Sequence, residues 1–161
     1  MSAEQNKALV RRFWDLINAH DADAAFALCS SNFIDHGLPP GTQPGVESSR
    51  QFFKEEFAAF PDVYGTVLDI LAEGDKVASR MELEGTHKGP LMGIPPTGKH
   101  VKWTLTSLHR IADGQIAEHW TEMDKIGLMQ QLGVIPPPRT AQAARSGWPV
   151  SPSADRPLSP G

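Results

Sequence analysis

The sequence predicts an α+β domain: a cone-shaped, strongly curved antiparallel sheet with helices packed on its concave face. Three observations carry this. Apolar residues recur at helical spacing through the first 60 residues. From Asp62 the period changes to two, with strand-like runs separated by short turns. One more helical stretch, KIGLMQQLG, closes the series. The order αααββββα places helices against one face of an antiparallel sheet.

Each element has a local reason. Ser2 and Gln5 make a capping box, and Leu9, Val10, Phe13, Trp14 and Ile17 share one face, so the first helix covers about residues 3–19. Asp21 caps a short second helix that turns Ala25, Leu28 and Cys29 inward. NFIDHG is extended and PPGTQPG a loop. A third helix starts at Val46, sets Phe52, Phe53, Phe57 and Phe60 against the core, and stops at Pro61. VYGTVLDIL and KVASRMELEGTH flank the turn EGDK as a hairpin. After the loop KGPLMGIPPTG, two further strands run from near His100 to Asp124, joined at ADG. Asp124 caps the last helix and Gly133 ends it. Met81, Leu83, Met92 and Met123 are expected in the core.

Composition sets limits. The 161 residues suit one domain, with 40% hydrophobic residues and a formal charge of −4. No Lys/Arg run offers a face for nucleic acid or for a polybasic membrane contact. The single cysteine excludes an internal disulfide, and no signal-type or spanning apolar run occurs, which points to the cytoplasm. Seven of the 14 prolines fall in residues 136–161, a stretch poor in large apolar side chains. We divide the chain into a cone domain, 1–135, and a Pro-rich, disordered or extended tail, 136–161.

The last hairpin decides which side chains share a wall. A three-residue loop, Ala112-Asp113-Gly114 with a G1 bulge, sets His109 opposite Ala117, Ser107 opposite His119 and Leu105 opposite Thr121. Val101, Trp103, Leu105, Ser107, His109, Ala117, His119, Thr121 and Met123 then form a mostly apolar inner wall. Lys102, Thr104, Thr106, Arg110, Glu118, Trp120 and Glu122 face outward, a mixture suited to solvent or to a second copy.

GTHKGPLMGIPPTGK, HRIADGQIAEHW, Asp124 and the closing QQLG resemble the SnoaL-like polyketide cyclases of the nuclear transport factor two-like superfamily. The similarity covers roughly residues 5–133 and implies the same cone, a homodimer and cofactor-free ring closure by intramolecular aldol condensation. Aligned through Arg110, Asp113-Gly114 and His119, the family's catalytic aspartate falls on Thr121 and its pocket histidine on Ser107. Only His119 keeps its identity. A threonine hydroxyl is too weak an acid to replace a carboxylate as base.

His119 is therefore the first candidate for acid/base work, because imidazole titrates near neutrality. Asp35 and His36 are candidates to assist it. Adjacent residues of an extended segment point to opposite sides, so at most one of them faces the interior. Trp14, Trp103, Leu105, Ser107, His109, Thr121, Met123 and His87 are expected to line the site of a hydrophobic small molecule, although His87 beside Gly85 and Gly89 also suits a role in fixing the long loop. No metal-ligand spacing, nucleotide loop or serine-hydrolase elbow occurs. A non-catalytic binding protein of the same fold, or a dehydratase or isomerase using the same pocket, stays open.

Overall fold

A computed structural model describes residues 2–136; the Pro-rich tail expectation lies outside the described residues. The elements are α1 (Ala3–Asn18), α2 (Ala22–Phe26), β1 (Cys29–Asp35), α3 (Val46–Ala59), β2 (Tyr64–Glu73), β3 (Lys76–Thr86), β4 (His100–Ala112), β5 (Gln115–Met123) and α4 (Lys125–Leu132). One five-stranded sheet has the order β1-β5-β4-β3-β2. It is antiparallel except at one edge, where β1 runs parallel to β5.

The helix ends follow the sequence chemistry. Ser2 and Gln5 form the reciprocal capping box of α1. Asp21 accepts from the Ala24 amide at α2, and Asp124 accepts from the Gly127 amide at α4. Gly133 ends α4 in the left-handed conformation, with φ 84°.

The core lies between the helices and the inner face of the sheet. Val10, Phe13, Trp14 and Ile17 of α1 pack with Phe26, Phe53, Phe60, Met81, Trp103 and Leu105. Phe13 meets Trp14, Phe26 and Phe53 edge-on, the arrangement that aromatic quadrupoles favour. Met92 departs from expectation. It is 69% exposed because it sits with φ 46° at the tip of the turn between Leu91 and Ile94.

The last hairpin corrects the expected pairing. Its turn has two residues, Asp113 and Gly114, both at positive φ (49° and 78°), and Ala112 pairs with Gln115. A bulge then shifts the register between Arg110 and Ile111. Ile116 and Ala117 are consecutive buried residues there. His109 consequently opposes His119, Ser107 opposes Thr121 and Leu105 opposes Met123. The inward set is the expected one, because the bulge supplies the one-residue slip that the turn does not.

The long loop after β3 is tied to α3 by backbone. The amides of Lys88 and Gly89 both donate to the Ala59 carbonyl at the end of α3. A Cβ on Gly89 would overlap the Ala58 carbonyl oxygen, which is backbone and cannot swing aside. Gly89→Ala should therefore cost about 2–3 kcal/mol, the range of named backbone and packing conflicts. A urea denaturation curve checks this; an unchanged midpoint would mean that the loop shifts freely.

Candidate active site

Asp35 and His119 meet because β1 lies beside β5 in a register that pairs them. Both side chains face the interior, and both residues are buried, at 6% and 5% exposure. Asp35 Oδ1 lies 3.2 Å from His119 Nδ1. The same oxygen accepts from the Gly37 amide at 2.9 Å, and Oδ2 accepts from the Ser49 hydroxyl at 2.9 Å. Burial opposes ionisation of Asp35. The hydrogen bond and charge of His119, with the bonds from Gly37 and Ser49, outweigh it and hold the carboxyl below its usual range.

With Nδ1–H directed at Asp35, the basic nitrogen of His119 is Nε2. It lies 2.6 Å from Thr121 Oγ1, whose hydroxyl donates to it. That hydroxyl turns about one single bond, so a substrate can take its place at Nε2. Gly37 backs onto Thr121: a Cβ on Gly37 would stand 3.2 Å from the Thr121 Cβ.

His36 faces the other way. Its ring stacks on Trp120 at 4.7 Å, and its Nε2 lies 3.1 Å from Glu118, which also pairs with Arg110. Strand alternation puts Asp35 inside and His36 on the outer face, so the expectation that His36 assists His119 is withdrawn.

The other expected lining residues separate into two groups. Trp14, Ser107, His109 and Thr121 surround the dyad. His109 is fully buried, and its ring stacks on His119 at 4.7 Å and meets Phe13 and Trp14 edge-on. Burial, reinforced by the charge of His119, presses the His109 pKa well below its usual value. It therefore stays neutral and backs His119 as a flat wall rather than sitting at a rim. Ser107 does not orient His119; it bonds Ser79 at 2.8 Å, and Ser79 accepts from the Trp14 indole.

Trp103, with Leu105 and Met123 between it and the dyad along the wall, belongs to a second group with Phe60 and His87. Phe60 lies 5.2 Å from Trp103 and 5.3 Å from His87. His87 Nδ1 accepts from the Thr97 amide at 3.2 Å, which fixes the long loop.

Sequence reasoning missed Ser49. Its place on the inward stripe of α3 was the available signal; its partnership with Asp35 needs the fold. Beside this contact a cleft of about 440 Å³ opens between Leu38, Pro39 and Thr42 of the loop and Ser48, Gln51 and Phe52 of α3, with Glu47 and Glu55 at its edge. Its lining neighbours in sequence Gly37 and Ser49, the two residues that bond Asp35. Among the described residues, no three His, Cys, Asp or Glu side chains converge as metal ligands. None of the described helices is long and apolar enough to cross a membrane.

The chain is similar in sequence and in fold to several known proteins. The chain is 38% identical over 103 residues to nogalonic acid methyl ester cyclase of Streptomyces nogalater, covering 62% of this chain and 72% of that one. It is 38% identical over 60 residues to aklanonic acid methyl ester cyclase DnrD of Streptomyces peucetius, covering 37% of this chain and 41% of the relative. The chain thus spans about two fifths of the length of that curated relative. Among solved structures, AclR of Streptomyces galilaeus, a candidate hydroxylase, superposes with a TM-score of 0.80 at 28% identity, over 90% of this chain and 91% of that one. IdmH of Streptomyces antibioticus, a candidate polyketide cyclase, superposes with a TM-score of 0.71 at 33% identity, over 80% and 99%. The family model described as SnoaL-like polyketide cyclase matches residues 7–132, and the chain belongs to that family.

Proposed function

We propose that this protein is a cofactor-independent enzyme that moves protons on a hydrophobic, polyketide-like carbonyl compound and closes a ring by intramolecular aldol condensation. One observation carries the reading. His119 is the only inward imidazole of the wall with both nitrogens engaged, Nδ1 on a buried carboxylate and Nε2 on a hydroxyl that can yield its place. That is the geometry of an oriented general base.

In the proposed step, Nε2 takes a proton from the carbon next to a carbonyl. The ionised Asp35 offsets the charge that then forms on the imidazole. Thr121, released from Nε2, can donate to the enolate oxygen. The enolate carbon attacks a second carbonyl of the same molecule and forms the new carbon–carbon bond. Substrate enters by the cleft between Leu38 and Phe52. Two copies pair through the outer sheet face that carries Trp120 and the Arg110–Glu118 pair.

A second reading has its own observation: Thr121 stands where the family's catalytic carboxylate is expected, which suits a binding protein, a dehydratase or an isomerase. Incubation with nogalonic and aklanonic acid methyl esters, the compounds named for the relatives, separates these. Ring-closed product above the spontaneous rate is expected. Thermal stabilisation by either ester without conversion would favour the binding protein, and a double-bond shift or loss of water would favour the other enzymes.

A further inference from the structure

Helix α3 carries an acidic residue in the middle of its buried face. Ser49, Phe53, Glu56 and Phe60 are spaced four, three and four residues apart and so share one stripe. The other three are buried, at 0%, 8% and 1% exposure. At one end Ser49 bonds Asp35 of the dyad. At the other, Phe60 packs on Trp103 and His87. Glu56 lies between, next to Phe53, whose ring rests against Phe13 and Phe26.

Nothing among the described residues partners this carboxyl. Among the described residues its side chain makes no hydrogen bond or ion pair, and burial pushes its pKa up to about 7. Protein crowds the side chain, which is half-buried.

Two orphan donors lie at the same end of the stripe. The Trp103 indole N–H is buried without a partner. His87 Nδ1 accepts from the Thr97 amide, so the neutral ring carries its proton on Nε2, which is also buried and unpartnered. Buried polar groups are as a rule hydrogen-bonded, and two exceptions around one phenyl ring, Phe60, ask for a ligand atom. A carboxylic acid and two N–H groups all donate, and what they have in common to offer is an oxygen acceptor.

We propose that Glu56 is the general acid at the electrophilic end of the site, donating to the carbonyl oxygen of the substrate that is attacked, with Trp103 and His87 as the hydrogen-bond donors beside it. The assignment rests on the aldol reading above and completes it. When the enolate carbon forms its bond, the carbonyl π pair moves onto oxygen, and that oxygen takes the Glu56 proton to become a hydroxyl. His119 ends protonated and Glu56 ionised, and solvent returns the proton from one to the other. Ser49 and Glu56 are seven helical steps apart, about 10 Å along the axis. The titratable groups facing the same interior are Cys29 and Asp35 on β1, His87 after β3, His109 on β4 and His119 on β5, with His20, after α1, stacked on Phe57.

The test uses 9-fluorenone, a flat aromatic ketone that does not titrate, with affinity and carbonyl infrared band measured on both sides of the Glu56 titration. Wild type should bind it with the band shifted to lower wavenumber, and should lose about fivefold in affinity as pH rises through 7, the worth of one ordinary hydrogen bond. Glu56→Gln should bind with no pH dependence in that range, whereas His119→Ala should keep the wild-type dependence. In wild type labelled with carbon-13 at the glutamate carboxyls, one signal should titrate near 7 and move when fluorenone binds, a measurement that needs no folded variant. Equal pH dependence in wild type and Glu56→Gln, an unshifted ketone band, no binding, or the absence of such a glutamate signal would each overturn the assignment. Failure of the aldol reading shows instead as unconverted esters, with the fluorenone results unaffected.

Discussion

Asp35→Ala should destabilise the fold by about 3–5 kcal/mol, the usual cost of breaking a buried charged pair from one side. The alanine leaves two donors without their acceptor, His119 Nδ1–H and the Gly37 amide, and leaves the Ser49 hydroxyl only the Gly45 carbonyl. It also frees the junction where β1, α3 and the loop after β1 meet. Asp35→Asn keeps the volume and is the milder variant for stability, but it removes the charge that balances a protonated His119, so turnover should fall by about 10²–10⁴. Acid behaviour separates the two roles. The folded carboxyl lies below its unfolded value of 3.8, so its ionised form contributes stability above that value, and the contribution is lost as pH falls through the lower folded value. Urea midpoints measured at neutral pH and down through that acid window should converge for wild type and Asp35→Asn only at the acid end. Equal midpoints at neutral pH would show that Asp35 is not engaged as described.

The legible parts of this protein are those where neighbours in sequence decide the outcome. The stripes Val10-Phe13-Trp14-Ile17 and Phe53-Phe60 and the caps Ser2, Asp21 and Asp124 depend on spacing and on local donors, and the elements stand where these place them. The last hairpin shows the limit. Asp113-Gly114 accepts either a two- or a three-residue loop, and the bulge near Arg110 has no glycine to announce it. The inner face came out as expected while every cross-strand partner from His109 to Leu105 moved by two residues. The dyad was beyond reach for a different reason: both residues were candidates, but their contact depends on β1 joining the sheet parallel to β5, a long-range pairing that no local pattern encodes. Glu56 was in plain view as the one charged residue on an otherwise apolar and hydroxyl-bearing stripe. It lies outside the last two strands, where the family resemblance is densest.

The largest effect on chemistry should come from His119→Ala, a loss of about 10²–10⁴ in turnover, the range for removing a positioned general base. Its effect on the fold is expected to be smaller and opposite in character to that of a core truncation. The imidazole bridges Asp35 and Thr121, so its removal leaves a buried carboxylate that Gly37 and Ser49 still satisfy, and a hydroxyl that can turn to another acceptor. His109 would lose its stacking partner but stay neutral in its aromatic setting of Phe13 and Trp14. A folded, ligand-binding and inactive protein is therefore the expected outcome, and exogenous imidazole, small enough to occupy the space left between Asp35 and Thr121, should restore part of the rate. Measuring kcat and KM on whichever ester is converted, with and without imidazole, distinguishes the proton shuttle from a merely structural histidine. A variant with near-normal kcat would remove His119 from the reaction, and Glu56 in its ionised form would be the next base to test, with a rate that rises rather than falls as pH passes 7.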